Sequence, residues 1–231
     1  MTEILCIKKK HYDKLNNCNS LLAVDDSEIF SLEMYFIDRN IAEVDENYVQ
    51  IIPYITLIDK VTDKVFIYRR GKGSGESRLT GRHSIGIGGH VENTLPKCHN
   101  FIEIVTHNAI RELDEEVYIC DSVDYDILHR EIKDILSNNK FAIVWNNFTP
   151  VSAVHIAIAF TMKVDMNSIT LHEKDVVADG RWITKEELAS LANDPEIALE
   201  DWSRILIDCD VDRYSRLVDL KDYKLLSDNI S

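Results

Sequence analysis

From Tyr48 onward the chain becomes dense in β-branched and aromatic residues, first in Val49-Gln50-Ile51-Ile52-Pro53-Tyr54-Ile55-Thr56-Leu57-Ile58 and then in Val65-Phe66-Ile67-Tyr68-Arg69-Arg70. A branched Cβ loses side-chain freedom in a helix and packs well on a pleated surface. The polar residues Asp59 to Lys64 lie between the two runs, so the pattern predicts two strands joined by a turn. Further on, Ile102, Val105, Ala109, Ile110 and Leu113 recur at three- and four-residue steps, the spacing of one buried helix face, and predict a helix from Phe101 to Val117. A second helix is expected from Asp124 to Leu136, and an apolar strand from Ser152 to Lys163 with His155 inside it. Thr184 and Glu187 form a capping box that opens another helix. Ser27 to Asp38 is read as a helix beginning at an Asp or Ser cap, and the tail from Pro195 to Ser231 as helical. Strands and helices so interleaved indicate a layered α/β or α+β fold, with the strand order left open.

The 231 residues are 45% hydrophobic and 29% charged with only 8 Gly and 4 Pro, a composition able to bury a core. One domain spanning 1–231 is the expected organisation, with residues 1–47 as an N-terminal extension. A formal net charge of −14 repels polyphosphate backbones and anionic lipid, so neither nucleic acid nor membrane is an expected partner. An anionic substrate would need a local cation. The longest apolar run, Val151 to Met162, is interrupted by Ser152 and His155 and is too short to span a bilayer; the N-terminus lacks the pattern of a signal peptide. The five cysteines are an odd number, scattered, with no Cys-x-x-Cys pair. Reduced thiols and a cytoplasmic location are expected.

The chemistry concentrates in Arg111-Glu112-Leu113-Asp114-Glu115-Glu116-Val117. Glu112, Glu115 and Glu116 stand at i, i+3 and i+4 and therefore share one stripe of a helix. Like charges at that spacing destabilise a helix unless something positive sits against them. A hard divalent cation such as Mg²⁺ or Mn²⁺ suits carboxylate oxygens and can activate water against phosphorus; the alternative is a solvated acidic face. Just upstream, Arg69, Arg70, Lys72, Arg78 and Arg82 form a cationic group suited to phosphate, or simply a solvated strand end. Tyr54, Tyr68 and Trp145 can either stack a base or fill the core.

The segment from Gly89 to Ile119 resembles the Nudix box: a glycine, five residues, a glutamate, seven residues, then Arg-Glu-aliphatic-x-Glu-Glu-x-Gly-aliphatic. Glu103 precedes Arg111 with seven residues between, and the residues from Arg111 to Val117 match position by position. Two features depart from the pattern. Thirteen residues rather than five separate Gly89 from Glu103, and Tyr118 takes the place of the final glycine, so the helix is expected to end differently. Ser84-Ile85-Gly86-Ile87-Gly88-Gly89-His90 and Asp179-Gly180-Arg181-Trp182-Ile183 resemble the flanking segments, extending the resemblance over about 48–190 and leaving 191–231 as a C-terminal helical tail. Gln50 to Tyr54, Glu76 to Leu79 and Val154 to Ile156 resemble a bacterial or phage subgroup of predicted Nudix phosphoesterases.

The resemblance implies an α/β/α sandwich with a mixed β-sheet and a metal-dependent hydrolase that cleaves a phosphoanhydride bond in a nucleoside diphosphate linked to another group. It assigns metal to Gly89, Glu112, Glu115 and Glu116, with Mg²⁺ or Mn²⁺ as cofactor. Arg111 and Glu103 are expected to form an ion pair fixing the helix to its loop. Glu112 or a carboxylate beyond the box, with Glu173 as a candidate, would serve as general base. Arg69, Arg78 and His90 are the substrate-binding candidates, while His155 reads as a core or supporting histidine. The expected partner is a small nucleotide-type molecule, and a homodimer is left open. Two other readings remain: a Nudix-like nucleotide-binding or regulatory module without turnover, suggested by the stretched box and Tyr118, and an interaction protein with a merely solvated acidic helix.

Overall fold

The computed structural model describes residues 2–15, 18–72, 79–94, 100–119, 125–171 and 176–208. Arg78, Glu173, Cys98, Cys120, Cys209 and the tail after residue 208 lie outside these. In chain order the strands and helices are β1 (Glu3–Lys8), β2 (Ser20–Val24), β3 (Met34–Asp38), α1 (Arg39–Ala42), β4 (Tyr48–Asp59), β5 (Val65–Arg70), β6 (His83–Ser84) and β7 (Gly86–Ile87). They continue with α2 (Phe101–Glu116), β8 (Val117–Ile119), α3 (Tyr125–Ser137), β9 (Ala142–Asn146), α4 (Pro150–Ala153), β10 (His155–Val164), β11 (Ile169–Leu171), β12 (Val177–Ile183), α5 (Lys185–Ala192) and α6 (Asp201–Asp208).

The principal sheet is mixed and runs β12-β5-β4-β10-β9-β2, with β1, β3, β6 and β7 joined at its margins. At its centre β4 and β10 pair in parallel from His155 against Gln50 to Val164 against Asp59. Successive strand residues face opposite sides of a sheet, and here both sides are packed. Ile51, Ile55 and Leu57 of β4, with Ile156, Ile158 and Phe160 of β10, pack in one cluster with Phe101, Val105, Ala109 and Leu113 of α2. Tyr54, Ile58, Ala157 and Ala159 face the other side, with Leu188 of α5 and Leu206 of α6. The chain is thus an α/β/α sandwich around a mixed sheet, as expected. Among the described residues no helix is long and apolar enough to cross a membrane.

The two predicted strands become β4 and β5, and the helix expected from Phe101 to Val117 becomes α2, capped by the Asn100 side chain accepting from the Glu103 amide at 3.0 Å. It ends one residue early because Val117 turns extended and Tyr118 joins β8, opposite Thr170 of β11. With the backbone leaving as a strand, no left-handed position has to be filled. The Thr184–Glu187 capping box forms as read.

Two expectations are corrected. Ser27 to Asp38 is a 3₁₀ turn over Ser27–Ser31, with the Asp26 side chain accepting from Glu28, followed by β3; Met34 to Asp38 find pairing partners on β1, which outweighs local helical spacing. The strand expected from Ser152 begins at His155, because Thr149 and Ser152 close a capping box that winds Pro150–Ala153 into a helical turn.

The loop after β7 passes directly over β4. A Cβ on Gly88 would stand 1.8 Å from the Pro53 carbonyl oxygen, and one on Gly86 2.1 Å from the Tyr54 ring. The Pro53 oxygen belongs to the central strand and cannot yield cheaply. Gly88→Ala is therefore expected to destabilise the protein by about 3 kcal/mol or more, the upper range for overpacking, measured as a lowered urea midpoint. A midpoint equal to the parent's would show that this approach is not required.

Candidate functional site

The loop of Gly88 to Glu92 and the C-terminal half of α2 form one wall of a cleft of about 260 Å³, also lined by Arg39, Arg70, Ser152, His155 and Glu200. Glu112 and Glu116, one turn apart on α2, are 8% and 6% exposed and face this space. A Cβ on Gly89 would lie 2.6 Å from the Glu112 carboxylate, so only glycine allows backbone and carboxylate to approach so closely. Glu115 also borders the cleft, but its side chain is 48% exposed. The three carboxylates share a stripe as predicted, yet they do not close into a compact triad. The Arg111 guanidinium bonds Glu112 at 2.5 Å and Glu115 at 2.7 Å.

The expected Arg111–Glu103 pair is replaced by another arrangement. Because α2 begins at Phe101, Glu103 sits in its first turn, and the eight residues to Arg111 carry the helix through about 800°, some 80° past alignment. Glu103 instead meets Lys133 and His129 of α3. Loop and helix are joined by Arg111, which donates to the His90 carbonyl at 2.8 Å, and by the buried Asn108. The Asn108 amide accepts from the Glu92 backbone N–H at 3.0 Å and donates to the Ile104 carbonyl at 3.0 Å. No sequence signal distinguished Asn108 from its polar neighbours.

Of the cations before the box, Arg69 is corrected. It points away from the cleft and pairs with Asp179 at 2.6 Å, whereas Arg70, its neighbour on the opposite face of β5, lines the cleft and pairs with Glu200 at 2.9 Å. Period-two alternation from the buried Tyr68 could have found this. Tyr54 and Tyr68 are buried: Tyr54 binds Glu200, Ser84 and Ser203 through its hydroxyl, and Tyr68 donates to the Gly86 carbonyl. Trp145 is likewise in the core. Tyr54 also borders the cleft, whereas Tyr68 and Trp145 serve as core. His90 lines the cleft but spends its ring on Gln50 at 2.9 Å and on His155 at 3.2 Å. Arg39 and Glu200, to which the sequence reading gave no role, line the cleft from α1 and from the segment before α6, and Glu43 and Gln50 stand against His90.

Burial, opposed by Arg111 and aided by Glu115, pushes the Glu112 carboxyl up to about 7. Burial and then His155 push His90 down to about 2 and keep it neutral. The two buried acids on α2 have the donor chemistry of a hard-cation site: carboxylate oxygens, those of Glu112 lying against the Gly89 backbone and holding a proton more tightly than in water.

Asn108→Ala is expected to cost about 2–3 kcal/mol, since it strands buried backbone groups, while Glu103→Gln should change stability by less than about 1 kcal/mol, as for exposed pairs. Chemical denaturation of both variants checks the reassignment, and the reverse order would overturn it. The raised Glu112 pKa also sets a pH dependence. The folded state binds the proton more readily than the unfolded chain, so stability is fully present below about 4.5 and is lost as pH rises toward about 7. Metal-free protein should show a falling melting temperature across that window, and Glu112→Gln should flatten it. An unchanged profile in the variant would refute the assignment.

Comparison with known proteins places this geometry in context. No family model matches the chain. Protein YmaB of Bacillus subtilis (strain 168) is 32% identical over 171 residues, covering 74% of this chain and 75% of that protein. Among solved structures, Tm1382, described as a candidate Nudix hydrolase, superposes with a TM-score of 0.65 at 23% identity, covering 90% of this chain and 97% of that one. The chain therefore belongs to the family of Protein YmaB, and its fold is that of the Nudix hydrolases.

Proposed function

We propose that this protein is a hydrolase of the Nudix type that uses a divalent cation, Mg²⁺ or Mn²⁺, to cleave a phosphoanhydride bond in a nucleoside diphosphate linked to another group. The observation that carries this reading is the pair of buried carboxylates, Glu112 and Glu116, opening beside Gly89 onto a cleft that also presents Arg39, Arg70 and Arg111. In a chain of net charge −14, three arginines at one cleft supply the local cations that an anionic substrate requires.

Glu112, Glu116 and the Gly89 carbonyl would hold the cation, with Glu115 joining on release from Arg111. When bound, the cation polarises a phosphoryl oxygen and lowers the pKa of water. Arg70 and Arg39, which line the cleft, would take phosphate oxygens through their planar forks. Asn108 and Arg111 keep the loop and α2 in register, so that the carboxylates remain oriented.

One observation favours a second reading, a nucleotide-binding module without turnover: Arg111 pairs with both Glu112 and Glu115 and so competes with a cation for their oxygens. A single assay separates the two. Incubation with a panel of nucleoside diphosphate derivatives and Mg²⁺ or Mn²⁺ should release a monophosphate product, and Glu116→Gln should reduce turnover at least tenfold through loss of an anionic ligand. Saturable binding of the same compounds without product favours the module. Full activity of Glu116→Gln removes the metal assignment from α2.

A further inference from the structure

The carboxylates of α2 leave one stretch of the cleft without a role. Gln50, Ile52 and Tyr54 alternate onto the same face of β4 and together span about 13 Å. At one end of this row Gln50 bonds His90 and stands in register with His155. At the other, Trp202 packs on Tyr54 with ring centroids 5.6 Å apart and an interplanar angle of 89°, an edge-to-face contact that holds the indole in one orientation. Trp202 lines the cleft, and Ile52, Leu79, Val151 and Val176 add apolar side chains to the lining.

Trp202 arrives on a segment that the backbone ties to the core. The His83 N–H donates to the Ala198 carbonyl at 2.7 Å, and the His83 carbonyl accepts from the Glu200 N–H at 2.9 Å; the Ile85 N–H donates to Ser203 Oγ at 3.1 Å. The polar groups beside the indole are already engaged. Glu200 accepts from Arg70 with one oxygen and from the Tyr54 hydroxyl with the other, both at 2.9 Å, and that hydroxyl also meets Ser84 and Ser203. They leave little for the hydroxyls of a sugar. Two donors remain, since Trp202 Nε1 and Arg70 Nε find no partner among the described residues. A buried donor left without an acceptor is costly, so an occupant that carries acceptors is favoured over a hydrocarbon chain.

We infer that Trp202, with Ile52 and Leu79, forms the seat of a planar heterocyclic ring, the base of a nucleoside diphosphate whose phosphates reach toward Arg70. The identity of the phosphate end rests on the hydrolase reading; the seat itself rests on the lining. A heterocycle brings flat apolar surface to the indole and acceptors in its own plane, and it makes no demand on Glu200 or Tyr54. Stacking of a base on an aromatic side chain tolerates any base, so the seat separates ring-bearing diphosphates from bare ones. Trp202 is thereby a specificity-determining residue, supplied from beyond the segment that resembles the Nudix core.

The test is calorimetric titration of the full chain, with Mg²⁺, by the α,β-methylene analogues of ADP, GDP, CDP and UDP, by methylenediphosphonate, and by a geranyl ester of the same head group. At least one nucleoside analogue should bind at least tenfold more tightly than methylenediphosphonate. Trp202→Leu should abolish that margin while leaving the affinity for methylenediphosphonate within about twofold. Leu79→Ala, at a partly exposed position, should narrow the margin about threefold and carries the test should the melting curve of Trp202→Leu show that it does not fold. No margin in the parent, a margin unchanged in the folded variants, or a geranyl ester bound as tightly as the nucleoside analogues would each overturn the seat. A margin without product release in the hydrolysis assay leaves the seat and removes the hydrolase; product release without a margin does the reverse; and binding of none of these compounds removes both.

Discussion

Parallel pairing of β4 with β10, held over ten residue pairs from Gln50 and His155 onward, commits the rest of the chain to its layout. Parallel neighbours cannot be joined by a tight turn, and the long crossover between them has to travel over a face of the sheet. Here the crossover contains β5, the box loop, α2, α3 and β9, so the same requirement that covers the sheet also delivers Gly89 and Glu112 to one edge of β4. Both faces of β4 are then buried, which explains why its sequence reads as an almost unbroken apolar run rather than an alternating one.

Close packing at the centre is what makes the cleft chemically distinctive. Gly86 and Gly88 let the loop lie against Tyr54 and Pro53, and Gly89 lets the Glu112 carboxylate rest against backbone. A carboxylate in that position loses water, and burial raises its affinity for a proton or, by the same argument, for a cation. Arg111 offsets part of that cost from the solvent side, while Arg70 with Glu200 places a nearly buried ion pair at the opposite wall. Such pairs gain little net stability, and their value here lies in holding charge where a chain of net negative sign would otherwise present none.

The fold was largely legible. Branched and aromatic runs marked β4 and β5, three- and four-residue spacing marked α2, and the Thr184–Glu187 pair marked the start of α5, because these signals come from residues adjacent in sequence. Met34 to Asp38 went the other way: their helical reading yields to pairing with β1, a partner thirty residues upstream. In the candidate site, Glu112, Glu115, Glu116 and Gly89 were visible as a spaced motif, and the structure brings Glu112, Glu116 and Gly89 together. The Arg111–Glu103 pair was not decided by spacing, since it depended on where the helix began, and Arg78 and Glu173 lie outside the described residues.

Sequence alone determined the elements, the acidic stripe on α2 and the general negative charge, all of which follow from local periodicity and composition. Tertiary structure alone decided that Asn108 and Arg111 fasten the loop to the helix, and that Glu43, His90 and His155 converge. Glu43, His90 and His155 are separated by 47 and 65 residues in the chain, and they meet because the end of α1, the box loop and the start of β10 all lie near the Gln50 end of β4. Periodicity carries information over a few residues, whereas the register of two parallel strands is set by how an entire core packs.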